Sequence, residues 1–380
     1  MYRTLLMIIL LSGGTCTSCQ LNDENRPEPP EEKETKDSTF YRGADLSYVN
    51  EMEDCGAVYY DEQGEEKSPY QIFEEAGTDL VRLRLWHNPD WTDYSDFEDV
   101  KKAIAKAKSL DMEVLLDFHY SDDWADPQKQ KVPAAWLPVV GNMQVLGDSV
   151  YNYTFTVLEK LHESDLMPEF VQVGNETNIE ILQDPDGEYG QINWGRNAFL
   201  INKGLQAVRD AATQFDEEVQ SFLHIAQPEN ALWWFEEAQQ HGVTDYDWIG
   251  ISYYPKWSEY GLNELPAAIK TLTATYGKQL MVVETAYPYT LDNADAAGNI
   301  LGQDAVIPGY AISPQGQYDY LRALEQKIIE GGGSGLIYWE PAWVSTSCST
   351  RWGQGSHWDN ATSFDQNNRA HVGMRYYKGE

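Results

Sequence analysis

Basic side chains are scarce in this 380-residue chain: 27 Lys and Arg stand against 61 Asp and Glu, a net charge of −34. That balance excludes nucleic acid as a partner, because a phosphate backbone is held by clustered Lys and Arg. It also disfavours a polyanionic substrate, whereas a neutral polymer would not be repelled. Cysteine is rare, with four in all, so the chain is not a small scaffold built on disulfides. The apolar run Leu5 to Leu11 is too short to span a bilayer. No Gly-rich phosphate loop follows the first strand pattern, which counts against the alternative of a doubly wound open sheet. What is abundant is aromatic: 13 Trp and 24 Tyr. Such rings fill cores, and they also line clefts in which a pyranose face stacks on an indole.

The N-terminus carries an address. Arg3, the short apolar run and the small residues after it form a signal segment over residues 1–18. Small residues followed by Cys are the end of a bacterial lipoprotein signal, and both Cys16 and Cys19 qualify. Cys19 is preferred, preceded by Thr17-Ser18, and the acidic pair Asp23-Glu24 behind it resembles an export signal of surface lipoproteins. An ordinary cleaved signal peptide is the alternative. Residues 19–39 are rich in Pro, Glu and Lys with little to bury, as in a flexible acidic tether. The expected location is the bacterial outer membrane or cell surface, with contact to the membrane only through the lipid.

From residue 40 to 380 short β-rich runs alternate with longer helical patterns, the rhythm of βα units around a parallel sheet. Eight strands are expected: 41–48, 79–86, 113–120, 170–176, 221–227, 248–254, 280–286 and 335–340. Eight is the number that closes a barrel, and runs such as Leu280-Met281-Val282-Val283 suit strands covered on both faces. Helices are expected at 97–110, 150–167, 198–215, 231–241, 265–276 and 317–330. In the first, Val100, Ile104, Ala107 and Leu110 fall on one face. The fold class is therefore α/β, a single-domain (β/α)8 TIM barrel with long catalytic-face loops.

Active sites in such barrels are built where the strands end. Here those ends carry Arg84 and Trp86, His119 leading into Trp124 and Asp126, Asn175-Glu176, Tyr254, Glu284, and Trp339 with Trp343. Carboxylates at the fourth and seventh strand ends face each other across a barrel mouth. Glycoside hydrolysis needs such a pair, one to protonate the leaving oxygen and one to attack. Glu284 must stay ionised, and Arg84 is the expected partner; Glu176 must stay protonated through desolvation or a neighbouring charge. Asn175 is placed to meet a sugar 2-hydroxyl.

The segments GADLSYVNEME (43–53), VRLRLWHNP (81–89), DFHYSDDWADPQKQKVPAAW (117–136), VQVGNET (171–177), IGISYYPKW (249–257), VVETAYPYT (282–290) and IYWEPAWV (337–344) resemble the arabinogalactan endo-β-1,4-galactanases of glycoside hydrolase family 53. They are spread in order over nearly the whole domain. The resemblance implies endo-hydrolysis of β-1,4-galactosidic bonds with retention, Glu176 as acid/base and Glu284 as nucleophile, and no cofactor for catalysis. It implies substrate contacts from Asp126 to Lys129 and from Tyr287 and Tyr289. It also implies a structural calcium ion between two loops, with Asn293, Asp295, Asn299, Ser356 and Asp359 as ligands. Asn293 stands where the family usually has Asp, and Ala297 where it has His, so one charge and one ligand are lost. Another retaining β-glycanase, of mannanase or cellulase type, and a non-catalytic glycan-binding lipoprotein are the alternatives. A monomer is expected. Finally, Cys55 and Cys348 follow the first and last strands, which are neighbours only if the barrel closes. In an oxidising compartment they are expected to form a disulfide, against the alternative of two buried free thiols.

Overall fold

The computed structural model describes residues 40–185, 190–351 and 353–379. The signal segment, both candidate lipidation cysteines and the tether lie outside the described residues. Eight parallel strands form a closed barrel: β1 (Tyr41–Asp45), β2 (Leu80–Leu85), β3 (Glu113–Phe118), β4 (Phe170–Val173), β5 (Gln220–Ala226), β6 (Trp248–Ser252), β7 (Gln279–Glu284) and β8 (Gly335–Tyr338). Closure is direct, since Tyr41 to Ala44 of β1 pair with Gly335 to Tyr338 of β8. Beyond those strands Cys55 and Cys348 form the expected disulfide, their Cα atoms 5.8 Å apart across 293 residues of sequence.

Helices α1 (Val49–Asp54) and α2 (Pro69–Glu75) occupy the β1–β2 connection, and both escape the sequence periodicity because they are short. The outer ring continues with α3 (Phe97–Lys108), α4 (Met143–His162), α5 (Trp194–Phe215), α6 (Pro228–Gln240), α7 (Leu265–Tyr276) and α8 (Pro314–Gly331). Their starts are chemically marked: Asp96, Asn142, Asn193 and Ser313 each accept a backbone N–H of the first turn. Helices α4, α5 and α8 begin three to seven residues earlier than expected because these polar caps precede the apolar periodicity, and α6 begins three residues earlier at Pro228, a residue suited to a first turn. No helix among the described residues is long and apolar enough to cross a membrane.

All eight strands are present, but most stop two or three residues short of the expected end. The chain leaves the sheet through left-handed backbone: Tyr120 (φ 49°), Gly174 (φ 85°), Glu176 (φ 44°), Gln227 (φ 67°) and Glu340 (φ 49°). A non-Gly residue held there costs on the order of 1–3 kcal/mol, and such strain gathers at functional rims. The barrel interior is divided along its axis. Its lower part is an apolar plug of Leu80, Leu115, Phe170, Phe222, Trp248, Met281, Val283 and Ile337. Above it Arg82, Asp117, Gln172 and His224 follow two residues further along their strands, and Asp45 of β1 and Ser252 of β6 join them; all six are buried.

Candidate active site

Glu284 reaches this interior through an irregularity. Met281 and Val283 both belong to the inner plug, so strict alternation would send the next side chain outward. The β6–β7 register shifts between Ile251 and Ser252, which brings Ser252 opposite Glu284. Bulges commonly re-aim a side chain in this way. One oxygen of Glu284 accepts from Arg82 Nη1 at 2.8 Å and the other from the Tyr254 hydroxyl at 3.1 Å. Arg82 is itself buried and also binds Asp45 (3.0 Å), Asp117 (2.9 Å) and the Asn175 side-chain oxygen (2.7 Å).

The expected pairing of Arg84 with Glu284 is therefore wrong by one inward step along β2. Arg84 binds Glu340 at 3.1 Å and Ser95, and its guanidinium lies over the rings of Tyr48, Trp86 and Trp124 at 4.2–4.8 Å. It is 2% exposed and packs behind the aromatic wall.

Glu176 lies across the mouth. One carboxylate oxygen of Glu176, one of Glu284 and a ring nitrogen of His224 lie within 4.8 Å of one another. Burial, then the charge of Glu284, holds the Glu176 carboxyl well above its usual range, and Asp126 adds to this. Burial also pushes Glu284 up, to about 7, while the Arg82 guanidinium pulls it down. Among the described residues Glu176 forms no ion pair, so the proton shared by the pair belongs to Glu176. The Glu176 Oε1 atom meets the Ser252 hydroxyl at 2.6 Å.

The other predicted residues divide into those the fold brings to this mouth and those it does not. The Asn175 Nδ2 group donates to Ala125 O at 2.9 Å, which leaves one of its two amide hydrogens without a partner among the described residues. His119 takes the Ala125 N–H on Nδ1, so its Nε2–H donates to Asp117 at 3.1 Å; burial lowers its pKa, and both nitrogens are committed. Trp124 and Trp339 are part-exposed with ring centres 5.9 Å apart, while Trp86 and Trp343 are buried behind them, the latter stacked on Tyr48 at 4.1 Å. Asp126 and Lys129 close a turn, with the Lys129 ammonium on Asp123 at 2.9 Å.

Tyr287 and Tyr289 sit in the loop after β7. The Tyr287 hydroxyl donates to Tyr310 O and accepts the Ile307 N–H, and its ring stacks on Tyr320 at 4.7 Å. Tyr289 packs on His371 at 4.7 Å, and its backbone N–H goes to Asn360 O. Both side chains are buried in the seam between the β7 and β8 loops.

Of the five calcium candidates Asn293, Asn299 and Asp359 bond to one another, and Asp295 accepts the Ser356 N–H beside them. Asn299 Nδ2 lies 2.6 Å from Asn293 Oδ1 and 2.7 Å from Asp359 Oδ1, while Asn299 Oδ1 is buried without a partner. An amide oxygen and nitrogen are assigned by their surroundings. Turned over, Asn299 would place a third oxygen against the other two, which suits a hard cation. Asp295 raises the Asp359 pKa by its charge, although burial is the larger cause, and no lysine or arginine is paired with either acid among the described residues. This donor set fits calcium. Ser356 is the exception: its hydroxyl donates to Trp343 O and accepts the Trp358 N–H, so its side chain is already committed.

Sequence reasoning missed Arg82, Gln130, His224 and Ser252. Gln130 donates from beneath the site to the backbone oxygens of Asn175 and Glu176. For Arg82 a signal existed, since it shares the inward face of β2 with Arg84. A lone His in an apolar strand and a lone Ser before Tyr-Tyr gave none.

A closed βα barrel whose fourth and seventh strands bring two carboxylates together under a wall of indoles is a glycoside hydrolase. Residues 41–376 match glycosyl hydrolase family 53, and the chain belongs to that family. It is 55% identical over 344 residues to an arabinogalactan endo-beta-1,4-galactanase of Cellvibrio japonicus, covering 90% of this chain and 91% of that one. An endo-beta-1,4-galactanase of Bacillus subtilis is 35% identical, over 82% of this chain and 72% of the other. Among solved structures, the family 53 catalytic domain of Ignisphaera aggregans superposes with a TM-score of 0.82 at 32% identity, covering 90% of this chain and 96% of that chain.

Proposed function

We propose that this enzyme cuts β-1,4-galactosidic bonds within galactan and type I arabinogalactan, with retention, using Glu176 as acid/base and Glu284 as nucleophile. The observation that carries the chemistry is the approach of the two carboxylates within 4.8 Å. Retaining glycosidases hold theirs about 5–5.5 Å apart, whereas inverting enzymes need roughly 6.5–9.5 Å to admit a water. The 55% identity to a protein named as a galactanase supports the substrate.

In the first step Glu176 gives its proton to the glycosidic oxygen while an oxygen of Glu284 bonds to the anomeric carbon. Arg82 and Tyr254 hold Glu284 ionised and aimed until then. Once Glu284 is an ester its charge is gone, so the Glu176 pKa falls and the group can take a proton from water. That water attacks the same carbon and releases Glu284. The unpartnered Asn175 N–H is suited to a sugar hydroxyl, and Trp124 and Trp339 are suited to stack on ring faces. Reducing-sugar release from galactan, but not from mannan or carboxymethylcellulose, with the product anomer followed by NMR, tests substrate and stereochemistry together. Release from mannan instead would move the enzyme to another β-glycanase class, and no release from any polymer would leave a glycan-binding protein.

Calcium completes the reading, held by Asn293, Asp295, Asn299 and Asp359, where it neutralises the two acids and ties the β7 and β8 loops. Chelation is then expected to lower the melting temperature, and added calcium to restore it; an unchanged melting temperature together with no metal by elemental analysis rejects the ion. The reading also includes lipid attachment at Cys19 and display at the cell surface, tested by release of Cys19→Ala from the membrane fraction.

A further inference from the structure

We infer that His224 and Ser252 form a positioning pair that keeps Glu176 protonated, and that the imidazole reverses the effect a serine alone would have. This rests on the reading of Glu176 as acid/base. The atoms run in a line: Asn175 Oδ1, 2.9 Å to His224 Nδ1; His224 Nε2, 2.8 Å to Ser252 Oγ; Ser252 Oγ, 2.6 Å to Glu176 Oε1. His224 and Ser252 are fully buried.

The direction of the hydrogens follows from the Asn175 end. Its Nδ2 donates to Ala125 O, and its Oδ1 accepts from Arg82 at 2.7 Å, so the atom facing His224 is an oxygen. An oxygen at 2.9 Å from Nδ1 calls for a hydrogen on Nδ1. Two donors approach Nδ1 as well, but at longer range: the Glu176 N–H at 3.4 Å and Gln172 Nε2 at 3.2 Å. Gln172 has better acceptors in Asp117 Oδ1 at 2.5 Å and Gly174 O at 3.1 Å. Burial, Arg82 and His119 hold the His224 pKa well below the usual range, so the ring is neutral and carries one hydrogen. With that hydrogen on Nδ1, Nε2 is a bare acceptor and takes the Ser252 hydroxyl hydrogen.

Ser252 then presents a lone pair to Glu176 Oε1. A protonated Glu176 satisfies that lone pair, and an ionised one is repelled by it. A serine without the histidine would donate to the carboxylate and lower its pKa. The other groups that bear on Glu176 are Glu284 on β7, Asp126 in the loop after β3, Arg82 on β2 and the Tyr254 hydroxyl after β6; none contacts Oε1. The pair keeps the acid loaded before substrate arrives, and it favours return of the proton from water in the second step.

The sign of one pH shift decides this. In Ser252→Ala the basic limb of kcat/KM should move to lower pH by about one unit, the worth of one hydrogen bond between neutral groups, and Ser252→Thr should restore it. A limb that stays put or moves to higher pH overturns the proposal. Independently of activity, long-range 1H–15N spectra of the histidine-labelled resting enzyme, assigned with His224→Asn, should show the Nδ1–H tautomer; the Nε2–H tautomer overturns it. The tautomer is read whether or not Glu176 is the acid. That role is tested separately by Glu176→Ala, which should retain activity on substrates with good leaving groups.

Discussion

The two halves of the barrel interior are made by the same strands and do opposite things. In the lower half Phe170, Phe222 and Trp248 pack edge-on and face-on at 5.1–5.8 Å, and nothing there carries a charge. In the upper half one guanidinium is surrounded by three carboxylates. The lower half takes its stability from apolar area removed from water. The upper half is held only as long as every buried charge keeps its partner, because desolvating an ion costs several kcal/mol. The plug can afford no reactivity, and the network above it no loss of a member.

That contrast can be broken most severely at Glu284. Glu284→Gln should cut kcat on galactan by roughly 10⁴-fold or more, and lower the melting temperature less than loss of Arg82 would, because Arg82 keeps Asp45 and Asp117. Activity retained within tenfold would remove Glu284 from the mechanism. Azide should rescue Glu284→Ala and give a glycosyl azide of inverted configuration.

Arg82→Met should damage both functions of the upper half at once. It leaves Asp45, Asp117 and Glu284 without their shared cation, at a cost of about 3–5 kcal/mol in urea unfolding. Without the guanidinium the Glu284 pKa rises, so a higher pH is needed to ionise it and the acidic limb of kcat/KM moves up. A limb that moves down would mean that Arg82 does not stabilise the ionised form. Arg84→Met should leave the acidic limb where it is, since Arg84 serves Glu340.

In the lower half Trp248→Ala should cost a comparable 3–5 kcal/mol by opening a cavity. Its kcat/KM per folded molecule should stay within a few-fold, because the indole lies beneath the chemistry. A large loss of turnover in fully folded Trp248→Ala would show that the two halves are mechanically coupled.

The smallest effect belongs to the disulfide, outside both halves. Replacing Cys55 and Cys348 by Ser should lower stability by about 2–4 kcal/mol, with turnover at 25 °C unchanged. Equal unfolding midpoints for the oxidised and reduced wild type would show that closure of the barrel needs no fastening.

Much of this was legible along the chain. Eight β-rich runs separated by helical periodicity defined the barrel, because a period of two and a period of 3.6 are local properties. The Asn175-Glu176 and Glu284 positions followed from where strands end, and the Cys55–Cys348 bridge from the adjacency that closure imposes. Arg82 and Arg84 were not separable in the same way. Both point into the barrel, and they differ by two residues, about 6.6 Å in height. Which carboxylate each one meets depends on the stagger of eight strands, a property of the closed sheet and not of the sequence of β2. The same holds for Glu284, turned inward by a register shift against β6, and for Tyr287, whose hydroxyl is claimed by the loop holding Ile307 and Tyr310. The line from Asn175 through His224 and Ser252 to Glu176 draws on three strands, with no spacing in the sequence to announce it. Sequence determined which residues lie at the mouth of the barrel. Tertiary structure decided which of them touch, because depth along a barrel axis is set by all strands together.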